Sequence, residues 1–198
     1  MSQGAVKAKA EEKAVAKENR PPTYDHIQSM KKPVTRTLRL CLDSELGEEY
    51  NEAQQAFRLA EVELEHAGHD NPDVAKRFKE AKARFEKAEQ AATERSVKFV
   101  FRSIGRKPYE ELVLDWQPTE EQRSKVESLG NDPDNLDWDP DEFPPRLVAA
   151  AMVEPEMTLE QVFEIYNDPN WSPAELGALF STAQNAQFHV SVLDLGKG

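Results

Sequence analysis

At 198 residues, with a net charge of −12 and a pI near 4.9, the chain is too acidic for general binding to a nucleic-acid backbone or an anionic membrane, both of which rely on clustered Lys and Arg. Leu, Ile, Val and Phe number 42. That is about a fifth of the chain, just above the level at which charged sequences lose a stable core, so a modest core with solvated appendages is expected.

Residues 1–20 are rich in Ala, Lys and Glu, with two Val as their only sizeable apolar residues, and Pro21-Pro22 ends any helix there. A basic disordered arm and linker is expected over 1–33. From Val34 the pattern turns to period two. Val34, Leu38, Leu40 and Leu42 fall on one face, and Thr35, Thr37, Arg39 and Cys41 on the other, which predicts a half-buried strand. A second strand is expected over 95–104, where Val97, Phe99 and Phe101 alternate with Lys98, Val100 and Arg102. Each strand needs a partner, and the other is the simplest one.

Between them, Leu46, Tyr50, Ala53, Phe57, Ala60, Leu64 and Ala67 recur at steps of four and three. Asn71-Pro72 then supplies a cap and a first-turn proline, and Val74, Phe78, Ala81, Phe85, Ala88 and Ala92 repeat the spacing. Two narrow heptad seams joined by a short turn predict a projecting antiparallel coiled-coil hairpin.

The remainder reads as short helices. Tyr109, Leu112, Val113 and Trp116 share a face. Thr119 with Gln122, and Thr158 with Gln161, are capping boxes, and Ser172-Pro173 opens a last helix. Residues 130–142 form an acidic loop, and the apolar block RLVAAAMV is expected to be helical until Pro155 stops it. The fold class is therefore α+β, predominantly α: a small antiparallel sheet interrupted by the hairpin over 34–104, a helical bundle over 105–188, and a flexible tail over 189–198.

Chemistry-bearing patterns are few. His66, His69 and Asp70 have the spacing of metal ligands, but a structural zinc site wants further soft ligands and Cys41 lies far away in sequence. A solvated helix end accounts for them. Asp137, Asp139 and Asp141 match the first carboxylates of a calcium loop, yet Glu142 stands where that loop needs glycine and Val148 where it needs a bidentate glutamate. Among the tryptophans, Trp138 is expected to anchor the acidic loop. No phosphate cradle or nucleophile elbow is present, the one cysteine makes no internal disulfide, and the longest apolar run, 147–153, is far short of a membrane span. No catalytic residue, cofactor or metal is expected, and the default is a soluble, cytoplasmic chain.

The segments FRSIGRKPYEEL, EFPPRLVAAAMVEPEMTLEQV and WSPAELGALF resemble the tail assembly chaperones of long-tailed bacteriophages, especially those of actinobacteria. The resemblance covers about residues 34–190 and leaves out the amino-terminal arm. It implies a non-catalytic factor of the host cytoplasm, absent from the virion, that binds the tape measure protein, keeps it soluble and promotes tail-tube polymerisation around it. It also implies contact with the major tail-tube protein and with a longer, frameshifted form of the chain; Leu195-Gly196-Lys197 is codable as a slippery heptamer. Self-association is compatible with it. Trp171, Leu176, Leu179 and Phe180 are the candidate partner-binding residues. Two other classes stay open: a structural virion component such as a minor tail or connector protein, and a metal-dependent enzyme built on the histidine or aspartate cluster.

Overall fold

The computed structural model describes residues 23–67 and 71–190, and the chain divides into two units, residues 1–33 and 34–198. In the first, the linker expected over 23–33 contains a short helix, α1 (Tyr24–Met30). Thr23 caps it, its side chain accepting the His26 N–H at 3.4 Å. Seven residues are too few for a periodic signal to stand out beside Pro21-Pro22. Tyr24, Ile27 and Met30 lie three apart and are exposed. The arm expected over 1–22 and the tail from 191 onward, with Leu195, Gly196 and Lys197, lie outside the described residues.

The second unit begins with β1 (Thr35–Cys41), paired antiparallel with β2 (Ser96–Arg102) as the alternation predicts. Leu38 stands opposite Phe99, and Leu40 opposite Val97, so the apolar side chains share one face. Thr35, Thr37 and Arg39 share the open face with Lys98 and Arg102. Leu42 does not join the apolar face. It lies beyond the end of β1, 49% exposed, and its N–H donates to the Arg95 carbonyl at 3.2 Å.

The sheet has a third strand that the sequence reading lacks. β3 (Met152–Glu154) runs antiparallel to β2, Phe101 facing Met152 and Val100 facing Glu154, in the order β1-β2-β3. The helix expected to run to Pro155 therefore stops at Ala151. Pro155 disfavours helical backbone at Glu154, and Met152 and Val153 suit an extended run. Lys98 Nζ fixes the end of β3 through Glu154 at 2.9 Å.

α2 (Ser44–Ala67) and α3 (Pro72–Glu94) form the expected hairpin. The Asn71 side chain accepts the Asp73 and Val74 N–H groups at 3.2 and 3.4 Å. Ala53, Ala60 and Leu64 bury against Val74, Ala88 and Ala92, and the larger seam positions meet as rings. Phe57 stacks on Phe85 at 5.3 Å and tilts against Phe78 at 5.5 Å, while Tyr50 meets Phe85 at 5.7 Å. Its 24 residues give α2 a length of about 36 Å. Arg77–Glu63 and Arg84–Glu52 cross the seam as exposed ion pairs, which add little to stability.

Gly105, with φ at +89°, turns the chain out of β2 into α4 (Arg106–Asp115), a backbone position a side chain would strain. There follow α5 (Glu120–Ser128), a single 3₁₀ turn at Pro133–Asn135, α6 (Phe143–Ala151), α7 (Leu159–Asn167) and α8 (Pro173–Phe188). The capping boxes at Thr119/Gln122 and Thr158/Gln161 form, and Ser172 makes a third with Glu175. The boundary expected at 104/105 does not divide the core. Phe99 and Phe101 of the sheet pack in one cluster with Phe143, Leu147 and Val148 of α6, Val162 of α7, and Leu179 and Ala183 of α8. Among the described residues, no helix is long and apolar enough to cross a membrane.

Candidate functional site

The four residues expected to contact a partner lie on or just before α8, and most of them face inward. Leu179 is 1% exposed in the centre of the core, which removes it as a contact residue of the folded chain. Phe180 is half-buried, its ring edge-on to Trp138 at 5.7 Å and to Phe143 at 6.1 Å. Trp171 packs against the core, and Leu176 is half-buried, its carbonyl accepting the Tyr166 hydroxyl at 3.3 Å. Residues 176, 179, 180 and 183 make one stripe at helical spacing, and in this fold Leu179, Phe180 and Ala183 of that stripe join the chain's own core cluster.

The acidic loop is less solvated than its composition suggests. Asp139 is buried at 8% exposure. Its Oδ1 accepts the N–H groups of Asp141 and Glu142 at 2.9 and 3.1 Å and the Gln122 amide at 3.0 Å. Burial alone would raise this carboxyl, but these three donors outweigh it and hold the pKa below the ordinary value of 3.8. The residue caps the turn that leads into α6. Trp138 anchors the loop by stacking on Phe143 at 5.0 Å.

Of the metal candidates, His66 is exposed near the end of α2, and His69 and Asp70 lie outside the described residues. Among the described residues, no three His, Cys, Asp or Glu side chains are grouped to hold an ion. Asp137 and Asp141 are exposed, and Asp139 is spent on backbone donors. Cys41 is half-buried, its thiol donating to the Asp43 carbonyl at 3.3 Å. Burial raises the Tyr109 and Tyr166 phenols above their ordinary value.

The open apolar surface is elsewhere. Ile104, Pro108, Leu112 and Trp116 recur at steps of four along α4 and its approach, and form one wall of a groove. Ala149 and Ala150 of α6 are its floor, and Met157 and Leu159 close the far side. Two adjoining hollows of about 550 and 360 Å³ share Leu112 and Ala150. At 1.5 Å per residue, the wall is about 18 Å long, the length of three helical turns. Arg146 holds one end in place. Its guanidinium lies 3.5 Å from the Trp116 ring centroid and 5.1 Å from that of Phe163, and it pairs with Glu142 at 2.8 Å. Its Nε is buried without a partner. In the sequence α4 reads as one apolar face through Tyr109, Leu112, Val113 and Trp116, and the four-residue step from Pro108 to Trp116 is the signal of the groove wall, which sequence alone does not separate from core.

The chain matches no family model, no curated protein and no solved structure.

Proposed function

We propose that the chain is a non-catalytic tail assembly chaperone that holds the tape measure protein in solution and promotes tail-tube polymerisation around it. The observation that carries this reading is the open groove between α4 and α6. A holder must grip apolar helices reversibly, and a shallow apolar channel three turns long, floored by alanine, suits a helix laid lengthwise. The segment that carries the resemblance also supplies much of this channel: Arg146, Ala149 and Ala150 come from FPPRLVAAA, and Met157 and Leu159 from the stretch after Pro155. The net charge of −12 opposes nonspecific association of such a complex. Dissociation then needs only a competing surface, which the growing tube supplies.

The test is co-expression with the tape measure protein, followed by fractionation and a sizing column. The soluble fraction is expected to contain both chains as one complex. Ala150→Glu, a change at an exposed position, is expected to return most of the tape measure protein to the pellet while leaving the chain folded. Insoluble tape measure protein beside the unaltered chain overturns the reading. Detection of the chain in purified virions favours a structural tail component instead.

A further inference from the structure

We propose that the α4–α6 groove prefers an amphipathic helix flanked by carboxylates and discriminates against one flanked by lysines. The inference rests on the holder reading for its occupant being a client helix, and adds the charge that client segment carries. Among the described residues, the charged side chains lining the two hollows are both arginines, Arg102 at one end and Arg146 at the other, and no carboxylate lines either. On a chain with 37 acids against 25 bases, that is a local reversal of sign.

The two arginines are not equivalent. Arg146 is committed to Glu142 and to the Trp116 face, so it shapes its end of the groove more than it charges it. Arg102 is exposed at the end of β2 and makes no ion pair among the described residues. On its own face of the sheet its cross-strand neighbour is the uncharged Thr35, and the other strand cations of that face, Arg39 and Lys98, pair four residues away, with Lys98 offset by Glu154. A carboxylate on the occupant above Arg102 finds an uncompensated cation; a lysine there meets a like charge. The whole-molecule charge of −12 acts the other way and draws cationic peptides in from a distance. At 0.15 M salt the Debye length is about 8 Å, which screens that long-range field more than a direct contact. The local preference therefore emerges as salt is raised to the physiological range.

The full chain is titrated calorimetrically at this ionic strength with synthetic helices sharing one leucine stripe. One is flanked by Glu, one by Lys, and one has Glu flanks with the stripe replaced by Ser. The Glu-flanked helix is expected to bind about fivefold more tightly than the Lys-flanked one, the size of effect a single partly exposed charge contact gives. The Ser-stripe helix is expected not to bind. Arg102→Glu is expected to erase or reverse the ratio, and Ala150→Glu to weaken both leucine helices about tenfold by placing a carboxylate on the apolar floor. Equal affinities, tighter binding of the Lys helix, or a ratio unmoved by Arg102→Glu overturns the proposal. If the tape measure protein is solubilised but the helices are not discriminated, only the charge preference falls. If they are discriminated while the tape measure protein stays insoluble, only the holder reading falls.

Discussion

A carboxylate among six acids in twelve residues would ordinarily be a solvated group of no consequence, and Asp139 is the exception in its loop. Three donors converge on one oxygen, two of them backbone N–H groups at the start of the turn into α6. Replacing Asp139 with Ala leaves these donors unpaired in a buried place, a loss of about 2 kcal/mol on the scale of a removed cap. Asn keeps an acceptor but not the charge, and is expected to cost about half as much. The pH dependence has a definite sign. The native pKa lies below the ordinary 3.8, so the stabilisation is complete above that value and is lost as pH falls through the depressed native one. Urea unfolding of wild type and Asp139→Asn from pH 7 to pH 2.5 checks it. The gap between the two curves is expected to be constant down to about pH 4 and then to close. A gap that widens on acidification would mean the carboxyl is not held ionised.

The hairpin was legible at the element scale because its signal is redundant. Thirteen seam positions, from Leu46 to Ala92, agree on one spacing, and Asn71-Pro72 marks the turn within them. β3 was not legible, since three residues after an alanine-rich helix carry no period, and only the open edge of β2 makes them a strand. α1 was hidden for a similar reason. The hairpin's chief contacts are internal, α2 with α3, and the chain leaves and re-enters the sheet where the Leu42 N–H meets the Arg95 carbonyl at 3.2 Å. This makes the arm excisable. Joining Leu42 to Arg95 through Asn-Gly replaces residues 43–94 with a two-residue turn whose twist suits an antiparallel pair. The shortened chain is expected to unfold cooperatively, its free energy within about 1 kcal/mol of the core's in the full chain, because the buried side chains removed pack within the arm and none belongs to the cluster of sheet and bundle. Near-UV dichroism from the Trp138–Phe143 stack reports that transition, and its absence would show that the arm props up the sheet.

At the scale of the whole molecule, sequence and structure part over what covers what. Period and caps revealed that α8 has an apolar stripe; they could not show whether a partner or the chain's own sheet covers it, because Leu179 and Phe180 look the same in either role. The same ambiguity concealed the groove, whose floor of Ala149 and Ala150 reads as helix interior. The sheet in fact needs α8, since Leu38, Leu40, Phe99 and Phe101 present one apolar face and the helix packs on both strands. Sheet and bundle should then open as one cooperative unit, which Leu179→Ala can test. Removing a buried Leu side chain costs about 3 kcal/mol. If the core is shared, native-state hydrogen exchange at Phe99 and Phe101 in β2, Leu147 and Val148 in α6, and Ala183 in α8 should accelerate by the same factor. The arm's amides at Leu64 and Ala88 should keep whatever local opening they have below the global one. Unchanged protection in β2 beside faster exchange in α8 would divide the molecule near residue 104.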